Sequence, residues 1–185
     1  MIITDEALLR VESVPVLPEE IGPLRDQLER ELIRSAARGH EGVGLAAVQI
    51  GIPQQMAIVR TKDYSVDLIN CEIVKGYDKA IFENEGCLSF PGRFERTWRY
   101  QEIHINNNAE PKNKEFVARG FLAVICQHEL DHLDGRLLPD VAIPSLNLNP
   151  ENLNKTVFKR EKRRPNELCF CGSSVKFKRC CGIKR

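Results

Sequence analysis

No apolar run in this 185-residue sequence approaches the ~18 residues that a membrane-spanning helix needs. No segment repeats and no tract is of low complexity, which excludes a repeat array. No leader is expected either. Met1 to Glu6 carries two acids and no base, the wrong sign for a secretory or transit segment, so a cytoplasmic protein is expected. A closed disulfide framework fits poorly, because the seven cysteines are odd in number and four of them crowd into residues 169–181. Metal or catalytic roles suit them better in a reducing compartment.

Net charge is nearly absent as well, at +1, and taken alone this predicts no polyanionic partner. The average conceals a boundary. Residues 1–154 hold 16 Lys/Arg against 24 Asp/Glu, a net of −8, whereas residues 155–185 hold 11 against 2, a net of +9. What is present is enough to fold: 42% hydrophobic and 29% charged residues exclude a mainly disordered chain. The length suits one ordinary domain and a small appendage.

Apolar residues at three- and four-residue steps (Ile21, Leu24, Leu28, Leu32, Ala36) predict a helix over 19–38, closed by Gly39. Pro23 places the start of its regular part nearby. The small residues of Gly42-Val43-Gly44-Leu45-Ala46-Ala47 follow. Short β-rich runs come next, at Met56–Val59, Val66–Ile69 and Thr97–Ile105, with a turn at Lys112-Asn113-Lys114. A second helix is predicted over 120–133, ending at Gly135. Asn149-Pro150-Glu151 opens a third, running to about Arg163 and stopped by Pro165-Asn166. Helices at both ends of a strand-rich middle predict an α+β fold with largely antiparallel sheets.

The sharpest chemical signal is Gln127-His128-Glu129-Leu130-Asp131-His132. Residues four apart share a helix face, so His128 and His132 can aim at one ion, with Glu129 placed to reach a water beside it. Two surface histidines beside a solvated Glu are the structural alternative. A catalytic site needs a third protein ligand and an open position. Cys87 in Glu85-Gly86-Cys87-Leu88-Ser89 is the candidate, although a strand cysteine can equally be core packing. Val124 and Ile125 lie four and three residues before His128, on its side of the helix, and Phe121 extends that wall. These three could line a side-chain pocket or simply pack in the core. Glu85, Arg99 and Asp131 could join to hold the ligand helix against the cysteine strand. Cys71 and Cys126 read as core residues, and His40 and His104 as surface or loop histidines.

Three segments occur in a fixed order: Gly42-Val43-Gly44-Leu45-Ala46-Ala47-Val48-Gln49, Glu85-Gly86-Cys87-Leu88-Ser89 and Gln127-His128-Glu129-Leu130-Asp131-His132-Leu133-Asp134-Gly135. They resemble the three signature motifs of peptide deformylases, and the likeness spans about residues 4–145. Val48 and Cys71 stand where proline is commoner in that family, and neither position carries a reacting group. The resemblance implies sheets packed around a central metal-ligand helix in a catalytic domain over 1–148. It implies a metal held by Cys87, His128 and His132, and removal of formyl from N-terminal formylmethionine of nascent chains. Iron is the family's usual ion, and a Cys/His₂ site also accommodates zinc, nickel or cobalt. Glu129 would act as the base, with the Gln49 amide and the Leu88 backbone N–H donating to the oxyanion. Gly42 and Gly44 would let substrate backbone approach, Gly44 keeping the acyl cavity small. Val124, Ile125 and Phe121 would take the methionine side chain. A general metallopeptidase sharing only the ligand helix, and a catalytically silent adaptor at ribosome or translocon, are the alternatives.

Beyond a basic helix over 149–164, the segment 165–185 contains Cys169-Phe170-Cys171-Gly172-Ser173 and Lys176-Phe177-Lys178-Arg179-Cys180-Cys181-Gly182. Two cysteine pairs separated by eight residues suit one closed tetrahedral zinc site on Cys169, Cys171, Cys180 and Cys181. The segment resembles the SEC-C zinc-binding motif. So short a unit has almost no core, and metal binding would supply its folding free energy. A positive tail on an enzyme of nascent chains suggests contact with ribosomal RNA or a ribosomal protein, although a solvated basic helix without a partner has the same composition.

Overall fold

Strand β2 (Met56–Arg60) is buried on both faces, and that one fact organises the molecule. Met56 and Ile58 pack toward α2 (Pro18–Ala37), while Ala57 and Val59 belong to the cluster built on α3 (Phe121–Leu133). Alternation along a strand thus sends successive side chains into two cores. The computed structural model describes residues 1–108 and 115–144. The predicted turn at 112–114, the helix from Asn149 and the segment 165–185 with its four cysteines lie outside the described residues.

In chain order the elements begin with α1 (Glu6–Leu9), α2, β1 (Gly44–Ala46) and a 3₁₀ turn at Ala47–Ile50. Strands β2, β3 (Ser65–Ile69), β4 (Cys71–Cys87), β5 (Phe90–Asn107) and β6 (Glu115–Arg119) follow, then α3 and α4 (Leu138–Val141). Two three-stranded antiparallel sheets result, ordered β1-β2-β3 and β4-β5-β6. Helix α3 lies between them, its Leu122, Ala123, Ile125, Cys126, Leu130 and Leu133 sharing one core with residues of both sheets. The fold is α+β with antiparallel sheets, as the sequence pattern predicts, and they pack around the central helix, as the resemblance implies.

Helix α3 is buried on nearly every side, which is why an amphipathic stripe is hard to see in its sequence. Gly120 precedes it at φ 57°, a conformation unfavourable for side-chain-bearing residues, and turns the chain sharply out of β6. Gln127 ties the helix to β5. Its amide nitrogen donates to Tyr100 O at 2.9 Å and its oxygen accepts from Tyr100 N at 2.9 Å.

Helix α2 differs from expectation at its start. It begins at Pro18, where Leu17 N donates to Glu20 Oε2 at 2.9 Å and Glu20 N donates to Leu17 O at 3.0 Å. Pro18 therefore supplies the first-turn proline, and Pro23 sits inside the helix. The β4–β5 hairpin is likewise far longer than the Thr97–Ile105 run suggests. Much of β4 is exposed and charged, so no apolar alternation marks it.

Candidate active site

The hairpin and α3 converge on one point. The end of β4, where Cys87 pairs with Phe90 of β5, brings the cysteine against the helix face carrying His128 and His132. Ligand atoms of Cys87, His128 and His132 all lie within 4.8 Å of one another. Cys87 Sγ is 3.2 Å from His132 Nε2, and the two imidazoles meet edge to face with centroids 5.0 Å apart.

A buried ionic lattice holds this arrangement. His128 Nδ1 is 2.7 Å from Glu85 Oε1, which leaves its Nε2 for a ligand role. Arg99 donates to both Glu85 oxygens, at 2.8 and 2.6 Å, and to Asp131 Oδ2 at 2.5 Å. Thr97 Oγ1 donates to Glu85 Oε2 at 2.5 Å, and Arg136 reaches Asp131 Oδ1 at 2.8 Å. Glu85, Arg99 and Asp131 are all buried. The three residues considered as a possible triad do meet, and Thr97, unsuspected from sequence, completes the set around Glu85.

Burial penalises the Glu85 carboxylate, but its hydrogen bonds with Arg99 and His128 outweigh that and pull its pKa down to about 2. Burial also opposes charge on His128, yet bonding to Cys87 and Glu85 holds it well above the ordinary imidazole value. His132 is driven the other way, by burial and then by the charge of His128. Glu129 is buried, and burial pushes its carboxyl up to about 7. Its Oε2 is buried with no hydrogen-bond partner.

Gln49 is fixed by its own backbone turn. Its side-chain oxygen accepts from Ala46 N at 2.8 Å, so the amide NH₂ faces the site, 3.1 Å from Ser89 Oγ and 3.6 Å from Cys87 Sγ. A side chain at Gly44 would collide with Glu129, its Cβ falling 2.8 Å from Cδ. At Gly42 it would meet Leu88, 2.9 Å from Cγ. The two glycines therefore make room for two other motif residues, a role that sequence reasoning assigned to substrate backbone and acyl size.

A cleft of about 360 Å³ opens over this cluster, lined in part by Gly44, Gln49, Cys87, Leu88, His128 and Glu129. Val124, Ile125 and Phe121 also border it; the first two are buried and Phe121 is half exposed. His132 sits beneath, buried. Ser89, Phe82, Phe90 and Phe94 were not anticipated; only their closeness in sequence to Cys87 could have drawn attention to them. Of the two cysteines read as core, Cys126 is buried in the hydrophobic core around α3 and Cys71 is half buried against that core. His40 is exposed on the lip of the cleft, and His104 pairs with Glu102 at 2.9 Å.

One thiol and two imidazoles, converging beside an unsatisfied buried carboxylate oxygen, fit a divalent transition-metal ion with an open position. Comparison with known proteins agrees. A family model described as polypeptide deformylase matches residues 2–147, and one described as SEC-C motif matches residues 166–183. The peptide deformylase of Hydrogenovibrio crunogenus is 37% identical over 141 residues, covering 74% of this chain and 80% of that protein. The crystal structure of peptide deformylase from Thermotoga maritima superposes with a TM-score of 0.63 at 33% identity, covering 74% of this chain and 92% of the other. That of a peptide deformylase from Synechococcus elongatus in complex with actinonin gives 0.68 at 30% identity, covering 84% of each.

Proposed function

The chain belongs to the polypeptide deformylase family, and we propose how its own residues carry out the reaction of that family. It is a metal-dependent deformylase acting on N-formylmethionyl peptides. The observation that carries the reading is the convergence of Cys87, His128 and His132 at the floor of a cleft that also presents Glu129 and Gln49. The general metallopeptidase and the silent adaptor find no support in these similarities.

Cys87 Sγ, His128 Nε2 and His132 Nε2 would hold the catalytic ion, with iron(II) our assignment and zinc, nickel or cobalt accommodated by the same donors. When bound, such an ion supplies Lewis acidity, polarising the formyl oxygen and acidifying a neighbouring water. Glu129, with its carboxyl near neutral titration, removes a proton from the attacking water as oxygen bonds to the formyl carbon. The Gln49 amide and the Leu88 N–H donate to the carbonyl oxygen as its charge develops. Ala46 N has already oriented the Gln49 amide, so little reorganisation remains. Glu129 then returns the proton to the methionyl nitrogen while the C–N bond breaks. Formate and a free amine leave. Val124, Ile125 and Phe121 receive the methionine side chain, and Gly44 leaves Glu129 its place.

Residues 1–148 would form the catalytic domain, 149–164 a basic helix and 165–185 a structural zinc unit on Cys169, Cys171, Cys180 and Cys181. The SEC-C match over 166–183 supports the last of these. The +9 of residues 155–185 supports contact with the ribosome, where nascent formylated chains emerge in the cytoplasm. Among the described residues no helix is long and apolar enough to cross a membrane. The test of the reaction is formate release from a formylmethionyl dipeptide by iron- or nickel-loaded protein. Absence of formate, or cleavage of blocked internal peptides instead, would overturn it.

A further inference from the structure

Phenylalanine is concentrated at the mouth of the cleft. Four of the chain's eight, Phe82, Phe90, Phe94 and Phe121, line it. Three are engaged: Phe82 stacks on Phe121 with centroids 6.0 Å apart, and the Arg93 guanidinium lies 5.9 Å over the Phe90 ring. Phe94 stands apart from these contacts and is 65% exposed. It is nevertheless not a loose side chain.

Phe94 is the cross-strand partner of Gly86, the residue before Cys87. A Cβ at Gly86 would fall 2.9 Å from Phe94 Cε1 and 3.1 Å from Cδ1, so the ring rests where a side chain would otherwise be. One side of the ring is thus seated on backbone, while most of its surface stays open to the cleft mouth. Apolar surface beside a reaction centre gains free energy when a bound peptide covers it.

The chemistry fixes what passes by. Cys87, His128 and Glu129 mark the place of the formyl group, and the buried Val124 and Ile125 wall gives the methionine side chain an inward direction. In an extended peptide successive side chains point to opposite sides. The side chain after methionine therefore turns away from that wall, toward the rim. We infer that Phe94, seated on Gly86, is a specificity-determining residue. It packs its open ring against the second side chain of the substrate and favours large apolar or aromatic residues there over glycine or an acid. The acidic balance of residues 1–154, and the exposed Glu41 that also lines the cleft, act against acidic second residues in the same sense.

This inference rests on the deformylase reading above, and one peptide series separates the two. Formyl-Met-Xaa-Ser amides with phenylalanine, leucine, glycine or glutamate as Xaa would be assayed for formate release with metal-loaded full-length protein. Wild type should prefer phenylalanine over glycine in kcat/KM by roughly tenfold, the scale set by covering part of an aromatic ring. In Phe94→Ala the ratio should fall toward one, and in Phe94→Tyr it should persist. Ratios taken within one protein are independent of its folded or metal-loaded fraction. An equal preference in wild type and Phe94→Ala, or no preference in wild type, would overturn the inference while formate release still upheld the deformylase. No formate from any peptide would remove both.

Discussion

Gly44 and Glu129 share one volume: the glycine of β1 leaves open the space that the buried carboxylate fills, and a Cβ at Gly44 would stand 2.8 Å from Glu129 Cδ. The contact couples an edge strand to the helix that carries the ligands. Gly44→Ala should therefore act through Glu129 and not through the metal. We expect kcat to fall by about 10- to 100-fold, the scale of a misplaced general base. Metal content should match wild type. Near-native kcat in the alanine variant would show that Glu129 works from another position.

Glu129 itself lends itself to a test with a sign. Burial raises its carboxyl from 4.5 to about 7. A raised acid contributes stability that is fully present below pH 4.5 and is lost as pH rises through 7. In metal-stripped protein, Glu129→Gln should gain on wild type across that window, by on the order of 3 kcal/mol at most, and hold steady above it. Urea unfolding at a series of pH values measures the difference. The same variant should bind metal normally and lose turnover by about 10²- to 10⁴-fold. A pH-independent stability difference would mean that Glu129 is less buried than its surroundings indicate.

How far the sequence foretells this site depends on which force placed each residue. His128, Glu129 and His132 were legible because helical spacing alone puts them together. Cys87 needed the resemblance, since nothing in the local pattern of β4 announces a ligand; about half of that strand is exposed, and charged residues recur along it. Phe94 was invisible, because its position depends on the register Gly86↔Phe94 across a hairpin whose first strand lacks alternation. The helix around Pro23 misled in the opposite direction. A proline is a start signal on propensity, yet Pro18 and the Leu17–Glu20 backbone and side-chain bonds had already begun the helix. The central core followed from ordinary apolar burial; in the ionic lattice Glu85, Arg99 and Asp131 were expected, whereas Thr97 joins them only through the β4–β5 pairing.

That lattice should be unforgiving. Arg99 is 4% exposed and neutralises both Glu85 and Asp131. Arg99→Met would leave two buried carboxylates without their shared partner, a loss of about 3–5 kcal/mol by analogy with broken buried ion pairs. Glu85 is held at about 2 against an ordinary 4.5. A depressed acid contributes stability above the unfolded value and loses it as pH falls toward the folded one. The deficit of Arg99→Met should accordingly be largest above pH 4.5 and shrink as pH drops toward 2. Chemical denaturation at pH 3 and pH 6 compares the two, and an equal deficit at both would assign the loss to packing alone.

The two cysteine sets should also be separable by metal. Cys87 would belong to a site with an open position facing the cleft and so exchange its ion with a chelator; four thiolates at Cys169, Cys171, Cys180 and Cys181 would close a structural site. Full-length protein should carry two ions per chain. Cys87→Ser should lose the labile one, together with activity, and keep one tightly held zinc. Deleting residues 149–185 should do the reverse, removing zinc and any salt-sensitive binding to ribosomes while preserving hydrolysis of a formylmethionyl dipeptide. The polypeptide deformylase family match, which ends at residue 147, supports this independence. Loss of dipeptide hydrolysis on deletion would mean that the basic segment contributes to the catalytic fold. A ratio of one ion per chain in the intact protein would remove one of the two sites.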